Sequence, residues 1–99
     1  MSRFLISIEA SRDLNEIVDY FQTRSLDAGD RFVTAFNQKC QYLTQFPSIG
    51  KRYPHLHADL RGISLDTYII FYQLVTDGIV IVRVVSGYRD LSSLFEESD

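Results

Sequence analysis

The feature that most constrains this chain is a pair of strongly apolar runs, Tyr68–Val75 and Ile79–Val85, joined through Thr76-Asp77-Gly78. Both runs are rich in Val, Ile, Tyr and Phe, which suit the pleated, half-buried surface of a strand. An Asp-Gly pair supplies the positive φ that a tight hairpin turn requires. The sequence therefore predicts the central hairpin of an antiparallel sheet, with the polar cluster Gly87-Tyr88-Arg89-Asp90 at the end of that sheet.

Before this hairpin, the sequence predicts a short strand and a first helix. Phe4, Ile6 and Ile8 alternate with their neighbours, as in a strand with one apolar face. Apolar residues then recur at helical spacing up to a break near Arg24, and Ser11 is suited to cap this helix. The apolar positions of the first helix are Leu14, Ile17, Val18 and Phe21.

A second helix is predicted after the break, with Asp27 as its N-cap. Phe46-Pro47 ends it, because the residue before a proline disfavours the α region. Two helices with so short a connection pack as an αα-hairpin. The range 47–59 contains both prolines and is predicted to be irregular, and a strand over Leu60–Leu65 leads through a turn at Asp66-Thr67 into the hairpin. The apolar stripe of the second helix comprises Phe32, Ala35, Phe36, Cys40, Leu43 and Phe46.

The order β-α-α-β-β-β predicts an α+β fold, in which a helical hairpin packs on one face of a small, mainly antiparallel sheet. The length of 99 residues suits one domain over residues 1–99. Cys40 is the one cysteine, which excludes an intramolecular disulfide and fits a reducing compartment. No apolar run reaches the roughly 18–20 residues that span a bilayer, so we expect a cytoplasmic protein without membrane contact.

Charge gives little indication of a nucleic-acid partner. The net charge is −3, and Glu96, Glu97 and Asp99 in the tail account for all of it, so the body is neutral. A neutral body has no global attraction to nucleic acid or anionic membrane. The most basic local stretch is the irregular range, with Lys51, Arg52, His55 and His57.

Several short motifs follow one another in a specific order along nearly the whole chain. They are Ala10 with Asp13-Leu14 and Ile17, Arg31-Phe32, Leu43 with Phe46-Pro47 and Gly50, Leu60-Arg61-Gly62, Tyr68-Ile69-Ile70-Phe71-Tyr72, Arg83-Val84-Val85 and Gly87-Tyr88-Arg89-Asp90-Leu91. This ordered set resembles the RelE/ParE superfamily, the toxins of bacterial type II toxin–antitoxin modules. The resemblance implies the fold just described, no cofactor, and a cognate antitoxin that neutralises the toxin and links it to DNA only indirectly.

The superfamily has two main activities, and the residues favour one of them. RelE-like members cut mRNA on the ribosome, whereas ParE-like members poison DNA gyrase without nuclease chemistry. RNA cleavage through the 2′-hydroxyl needs a base, an acid and cations that stabilise the phosphorane. RelE-like toxins resemble one another in carrying a cation at one position of this motif set and a tyrosine at another. At the positions with the same spacing, this chain has Ile69 in place of the cation and Phe95 in place of the tyrosine. Of the three compared positions only Arg89 matches, which weakens the nuclease interpretation without excluding it. We therefore favour the ParE-like activity and keep the nuclease as the alternative.

The resemblance also suggests which residues contact gyrase or the antitoxin. We expect these to be Arg61, Arg83, Tyr88, Arg89, Leu94 and Phe95. In the nuclease alternative, Arg83, Arg89 and Tyr88 would be catalytic. A third alternative is an inactive relative that only binds its antitoxin and takes part in autoregulating its operon.

Structural roles compete with these functional ones. Arg83 lies in an apolar strand, where an unpaired charge is costly, so we expect it to pair with an acidic group such as Asp90 or one of the antitoxin. Arg61 fits a salt bridge on the sheet as well as a partner contact, and Tyr88 fits an aromatic cap over the sheet end. Cys40 is expected to fill the core.

Two histidines one residue apart, His55 and His57, lie close to Asp59. Without a third histidine or a cysteine nearby, this pattern is weak evidence for a metal site. We therefore predict that the protein binds no metal.

Overall fold

A computed structural model describes residues 3–95 of the protein, so the acidic tail lies outside the described residues. Its elements follow the predicted order, with a two-residue edge strand added after the second helix and a short helix at the end. They are β1 Arg3–Ile6, α1 Ile8–Gln22, α2 Leu26–Gln45, β2 Lys51–Arg52, β3 Arg61–Leu65, β4 Tyr68–Val75, β5 Gly78–Ser86 and α3 Leu91–Phe95. The predicted α+β fold is confirmed.

The sheet has five strands in the order β1-β5-β4-β3-β2. The neighbours β2, β3, β4 and β5 pair antiparallel, as predicted, whereas β1 pairs parallel to β5, with Phe4 opposite Ile79 and Ile6 opposite Ile81. The parallel pairing follows from the connectivity, because the helical hairpin between β1 and the remaining strands carries the chain over one face of the sheet. Periodicity alone did not locate this first strand within the sheet.

The start of α1 differs from the prediction. Ile8 is the first residue of the helix rather than the end of a strand, and Ser7 rather than Ser11 is the N-cap. The Ser7 hydroxyl accepts a hydrogen bond from the Ala10 N–H at 3.0 Å and donates one to the Val82 carbonyl at 2.9 Å. Because Ser7 bonds to both the helix and β5, it fixes the point at which the chain leaves the sheet.

The start of α2 and the irregular range also differ from the prediction. Ser25 occupies the N-cap position of α2, and Asp27 lies in the first turn, where a negative charge is favourable. Within the range 47–59, Lys51–Arg52 forms the short edge strand β2. The helical hairpin itself is as predicted, and the rings of Phe21 and Phe32 stack across it with centroids 5.4 Å apart.

The central hairpin forms, and its glycine has the predicted positive φ, 159° at Gly78, together with a second role. Val75 pairs with Gly78, so Thr76 and Asp77 are the turn residues, and neither has a positive φ. Gly78 is the first residue of β5, where a Cβ would lie 1.8 Å from the carbonyl oxygen of Arg3. A glycine is therefore required for the close approach of β1. In the preceding turn, Asp66 has a φ of 54°.

Both faces of the sheet are covered by apolar side chains. One face packs against α1 and α2, with Ile70, Tyr72 and Ile81 fully buried. Strand residues alternate between faces, so Phe71 points to the other side. There it forms what we term the second cluster, which comprises Leu60, Phe71 and Val85 with Tyr53, Leu56, Ile69, Val82, Leu91, Leu94 and Phe95.

Candidate functional site

Arg83 forms an ion pair that crosses from the sheet to the helical hairpin. Its Nε and Nη2 donate to the two carboxylate oxygens of Asp13 at 2.7 and 3.0 Å. The Val84 N–H donates to the same carboxylate at 2.9 Å. Only 20% of the Arg83 side chain and 11% of the Asp13 side chain are exposed. The hydrogen bond to Asp13 is the main cause that raises the pKa of Arg83, so this arginine is a fixed structural cation. Its partner is Asp13, not Asp90.

An irregularity in the sheet creates the position for this ion pair. The pairing of β4 with β5 shifts in register between Phe71 and Tyr72, which leaves Val82 without a partner on β4. Such a bulge bends its strand and re-aims the neighbouring side chains. Arg83 therefore lies beside α1, within reach of Asp13.

Arg61 and Tyr72 together hold the loop that follows α2. The Tyr72 hydroxyl donates to the Pro47 carbonyl at 2.7 Å and accepts from the Gly50 N–H at 2.9 Å. Arg61 Nη1 donates to the carbonyls of Ser48 and Gly50 at 2.9 and 3.0 Å. Burial raises the pKa of Tyr72, which favours the neutral hydroxyl that these bonds use. Arg61 thus bonds to backbone carbonyls and not to a carboxylate of the sheet.

The polar cluster after β5 is open to solvent. Tyr88 is 88% exposed, so the expectation that it caps the sheet end is wrong. Arg89 is exposed as well, and its backbone N–H donates to the Ser86 carbonyl at 3.2 Å. Asp90 does not pair with Arg89 but accepts from the Ser92 N–H at 3.2 Å. Tyr88 and Arg89 are therefore available for contact with a partner.

Ile69 and Phe95, the two apolar residues at the positions compared with RelE-like toxins, lie on the same face of the sheet. Ile69 and Phe95 both pack in the second cluster, and the Phe95 ring meets the Phe71 ring edge-on with centroids 5.5 Å apart. Leu94 packs there too. These residues make the face apolar at both compared positions.

An open groove of about 540 Å³ lies between α2 and the outer strand β3. Tyr42 and Ile49 on its rim are 42% and 50% exposed. β2 pairs only with Arg61 and Gly62, so the rest of β3 has no strand partner on its outer side among residues 3–95. An apolar groove beside an open strand edge is typical of surfaces that bind an extended or helical segment. The groove is lined by Ala35, Gln38, Lys39, Tyr42, Ile49, Ile63 and Leu65.

Other candidate sites have structural explanations. Cys40 is fully buried in the helix-side core, and burial raises the pKa of its thiol to about 12. His57 Nδ1 lies 3.2 Å from the Gln73 amide nitrogen. Within residues 3–95, no three metal-ligating side chains converge.

In the same part of the chain, no helix has the length and apolarity needed to cross a membrane.

Sequence reasoning missed two functional details. Asp13 was noted only as part of a family-like motif, whereas it is the counter-ion of Arg83. Tyr72 was noted only as part of an apolar strand, whereas its hydroxyl also fixes the 47–50 loop. The only available signal was that a charge in an apolar strand and a tyrosine facing the core each require a polar partner.

Comparisons with known proteins agree with this geometry. A family model described as the ParE toxin of type II toxin–antitoxin system, parDE, matches residues 4–91. A solved structure described as the chromosomal ParDE TA system from P. aeruginosa superposes with a TM-score of 0.73, at 18% identity, over 87% of this chain and 96% of that one. At this identity the likeness shows the fold alone. No curated protein matches the chain significantly.

Proposed function

Because the chain belongs to the ParE toxin family of type II toxin–antitoxin systems, we propose that it binds DNA gyrase, disturbs its cleavage and religation of DNA, and is neutralised by a cognate antitoxin. The toxin then acts as a binding inhibitor rather than an enzyme and needs no cofactor. The target and the antitoxin follow from family membership, which is an argument by analogy.

The apolar second cluster is the observation that carries the choice of gyrase over mRNA. General acid–base cleavage of RNA needs titratable or cationic groups within hydrogen-bond distance of the reacting phosphate. Ile69 and Phe95 present none, and Asp13 already occupies the guanidinium of Arg83. This arrangement supports a surface that binds protein more than one that cuts RNA.

The exposed cluster after β5 supplies the contact surface in this proposal. Tyr88 and Arg89 are of the residue types that dominate binding energy at protein interfaces, and both are free to be desolvated by a partner. Leu94 and Phe95 hold α3 against the sheet and thereby position this cluster. The groove beside β3 gives the antitoxin a separate apolar surface, on which an initially disordered segment would fold as it binds.

Two parallel reactions test the proposal. Purified toxin is added to a gyrase supercoiling reaction and to a cell-free translation reaction. We expect loss of supercoiling with intact mRNA, and recovery of supercoiling when equimolar antitoxin is added. Codon-positioned mRNA cleavage with normal supercoiling would instead establish the nuclease alternative. Antitoxin binding with no effect in either reaction would identify an inactive relative.

A matched pair of variants locates the contact. The Tyr88→Ala variant should raise the toxin concentration needed for half inhibition of gyrase by about 10-fold or more, the loss typical of an interface hot spot. The control, Tyr20→Ala, removes another exposed tyrosine, from the outer side of α1. It should change the concentration needed for half inhibition by less than about 2-fold. Equal effects of both variants would contradict the assigned surface.

A further inference from the structure

A polar cleft lies at the end of the sheet formed by β2. It has a volume of about 440 Å³ and is lined by Arg52, His57, Asp59, Arg61, Gln73 and Leu74. Neither Tyr88 nor Arg89 contributes to it. The cleft is therefore separate from the surface assigned to gyrase.

Two arginines of this cleft face each other across adjacent strands. Arg52 on β2 is the direct partner of Arg61 on β3 in an antiparallel pair. Side chains directly opposite in such a pair lie on one face, with Cβ atoms about 4.5–5.5 Å apart, and like charges there are destabilising. The isolated protein thus has two positive charges where the fold would favour one or none.

No carboxylate relieves this repulsion within residues 3–95. Asp59 lines the cleft but forms no ion pair with either arginine, since the ion pair described in this part of the chain joins Arg83 to Asp13. The two arginines and Asp59 leave the cleft with an excess of positive charge, even though the whole chain carries −3. An external anion is the remaining way to compensate it.

Arg61 is already oriented for such an anion. Its Nη1 is held by the Ser48 and Gly50 carbonyls, so the planar guanidinium has lost much of its rotational freedom before any ligand arrives. Within residues 3–95, the Nε and Nη2 of Arg61 donate to no protein acceptor. Arg52 is exposed and can swing toward the same ligand.

The arrangement of donors favours phosphate over carboxylate. A single guanidinium can occupy both oxygens of a carboxylate through two parallel bonds. A phosphate group directs its oxygens to different sides, so it can accept from two guanidinium groups on neighbouring strands at once. The cleft is open to solvent along the edge of the sheet, which allows a phosphate within a strand to enter.

We propose that the Arg52–Arg61 cleft binds a backbone phosphate of nucleic acid. For a toxin whose proposed target is an enzyme that holds DNA, this contact would attach the toxin to the DNA next to its protein target. The first expectation was that DNA is reached only through the antitoxin, and a direct phosphate contact adds a second route. The site itself is inferred from the arginine pair and can be tested without gyrase.

Thermal unfolding with inorganic phosphate as the probe gives the first test. We compare wild type, Arg52→Gln and the control Arg12→Gln, which removes an equal charge from the exposed side of α1. In chloride, Arg52→Gln should unfold at a higher temperature than wild type because the repulsion is relieved. Millimolar phosphate at constant ionic strength should then raise the unfolding temperature of wild type and of Arg12→Gln but leave Arg52→Gln unchanged.

Binding to a short labelled DNA duplex, measured by fluorescence anisotropy at several salt concentrations, gives the second test. One lost phosphate contact lowers the slope of log affinity against log salt by about 0.9. Between 50 and 200 mM salt, the affinity of Arg52→Gln should therefore fall about 3.5-fold less than that of wild type, whereas Arg12→Gln should match wild type.

Each other outcome overturns the proposal. Equal losses in both variants would show general charge attraction. Binding of free nucleotide but not duplex would show a different source of phosphate, and binding of a Glu-rich peptide alone would show a carboxylate site. The gyrase reaction is scored separately, so a wild-type protein that inhibits gyrase but does not bind the duplex rejects this site and leaves the proposed function standing.

Discussion

At the scale of single residues, the contact between Asp13 and Arg83 is the most consequential one in the molecule. The Asp13 carboxylate accepts hydrogen bonds from the Arg83 guanidinium and from the Val84 N–H. It therefore pairs the charge of Arg83 and also bonds the backbone next to the bulge in β5. A charge left unpaired at such a position is costly, because neither water nor another group can replace the partner. The pair therefore ties α1 to β5.

Replacing Asp13 with Asn keeps the size of the side chain but removes its charge. We expect Asp13→Asn to lower the free energy of unfolding by about 2–4 kcal/mol, since Arg83 and the Val84 N–H lose their ionised acceptor. Urea denaturation measures this change. The exposed Asp19→Asn on the same helix serves as the control and should change stability by less than about 0.5 kcal/mol. Similar values for the two variants would mean that the ion pair contributes little.

The buried thiol of Cys40 makes stability depend on pH in the alkaline range. Its pKa rises from 9.0 to about 12 on folding. Below pH 9 the thiol is protonated in both states, and between pH 9 and about 12 only the unfolded chain loses the proton. Unfolding is therefore favoured as pH rises through this window, by at most about 1.4 kcal/mol per pH unit.

A Cys40→Ala variant separates this effect from other alkaline titrations. The variant is expected to be less stable at pH 8 because it leaves a small cavity. Its stability should then decline less steeply than that of wild type between pH 9 and pH 11, as followed by urea denaturation at each pH. Parallel declines would show that the thiol does not titrate with a raised pKa.

At the scale of elements, β1 depends on one glycine and one serine. Gly78 lets the backbone of β1 approach β5, and Ser7 turns the chain from that pairing into α1. β1 is an edge strand of only four residues, so it has few bonds with which to compensate a defect. We infer that β1 separates from the sheet more readily than the central strands.

A Gly78→Ala substitution tests this dependence. The added Cβ would meet the Arg3 carbonyl oxygen at 1.8 Å, which involves backbone rather than a flexible side chain. We expect a loss of more than about 2 kcal/mol and faster amide exchange at Ser7, whose N–H bonds to the Ile81 carbonyl. Thr76→Ala in the same turn should leave both quantities nearly unchanged. Slow exchange at Ser7 in Gly78→Ala would contradict the inferred steric conflict.

At the scale of the whole molecule, the sheet has an apolar layer on each face. The helical hairpin covers one face, and α3 with the segment before β3 covers the other. A chain of this size has a modest total stability of about 5–15 kcal/mol, so the second cluster is a considerable part of it. The same cluster positions Tyr88 and Arg89, which couples stability to the proposed contact with gyrase.

The double variant Leu94→Ala/Phe95→Ala measures that coupling. Both side chains are half-buried, so we expect a loss of about 2–4 kcal/mol, below that of two fully buried deletions. Binding of a hydrophobic dye should increase as Phe71 becomes exposed, and inhibition of gyrase should weaken. The control Ser92→Ala changes an exposed side chain of the same helix. Unchanged stability of the double variant would show that α3 does not contribute to the core.

What the sequence by itself determined is what depends on local order. The helical hairpin, the central hairpin and the α+β class follow from periodicity. These features are confirmed because each is encoded by residues close together in the chain. The exact first residue of α1 was not, since Ser7 and Ser11 are both suited to cap a helix, and Ser7 is also fixed by its bonds to β5.

What only the tertiary structure decided concerns residues far apart in the chain. The position of β1 beside β5, the choice of Asp13 over Asp90 as partner of Arg83, and the facing of Arg52 and Arg61 all depend on how the elements pack. A charge in an apolar strand indicates that a partner of opposite charge exists, and a glycine can indicate that another segment approaches closely. Neither residue indicates which part of the chain supplies the partner or the approaching segment. Strand order and register supply that information, because they bring side chains together regardless of their separation in sequence.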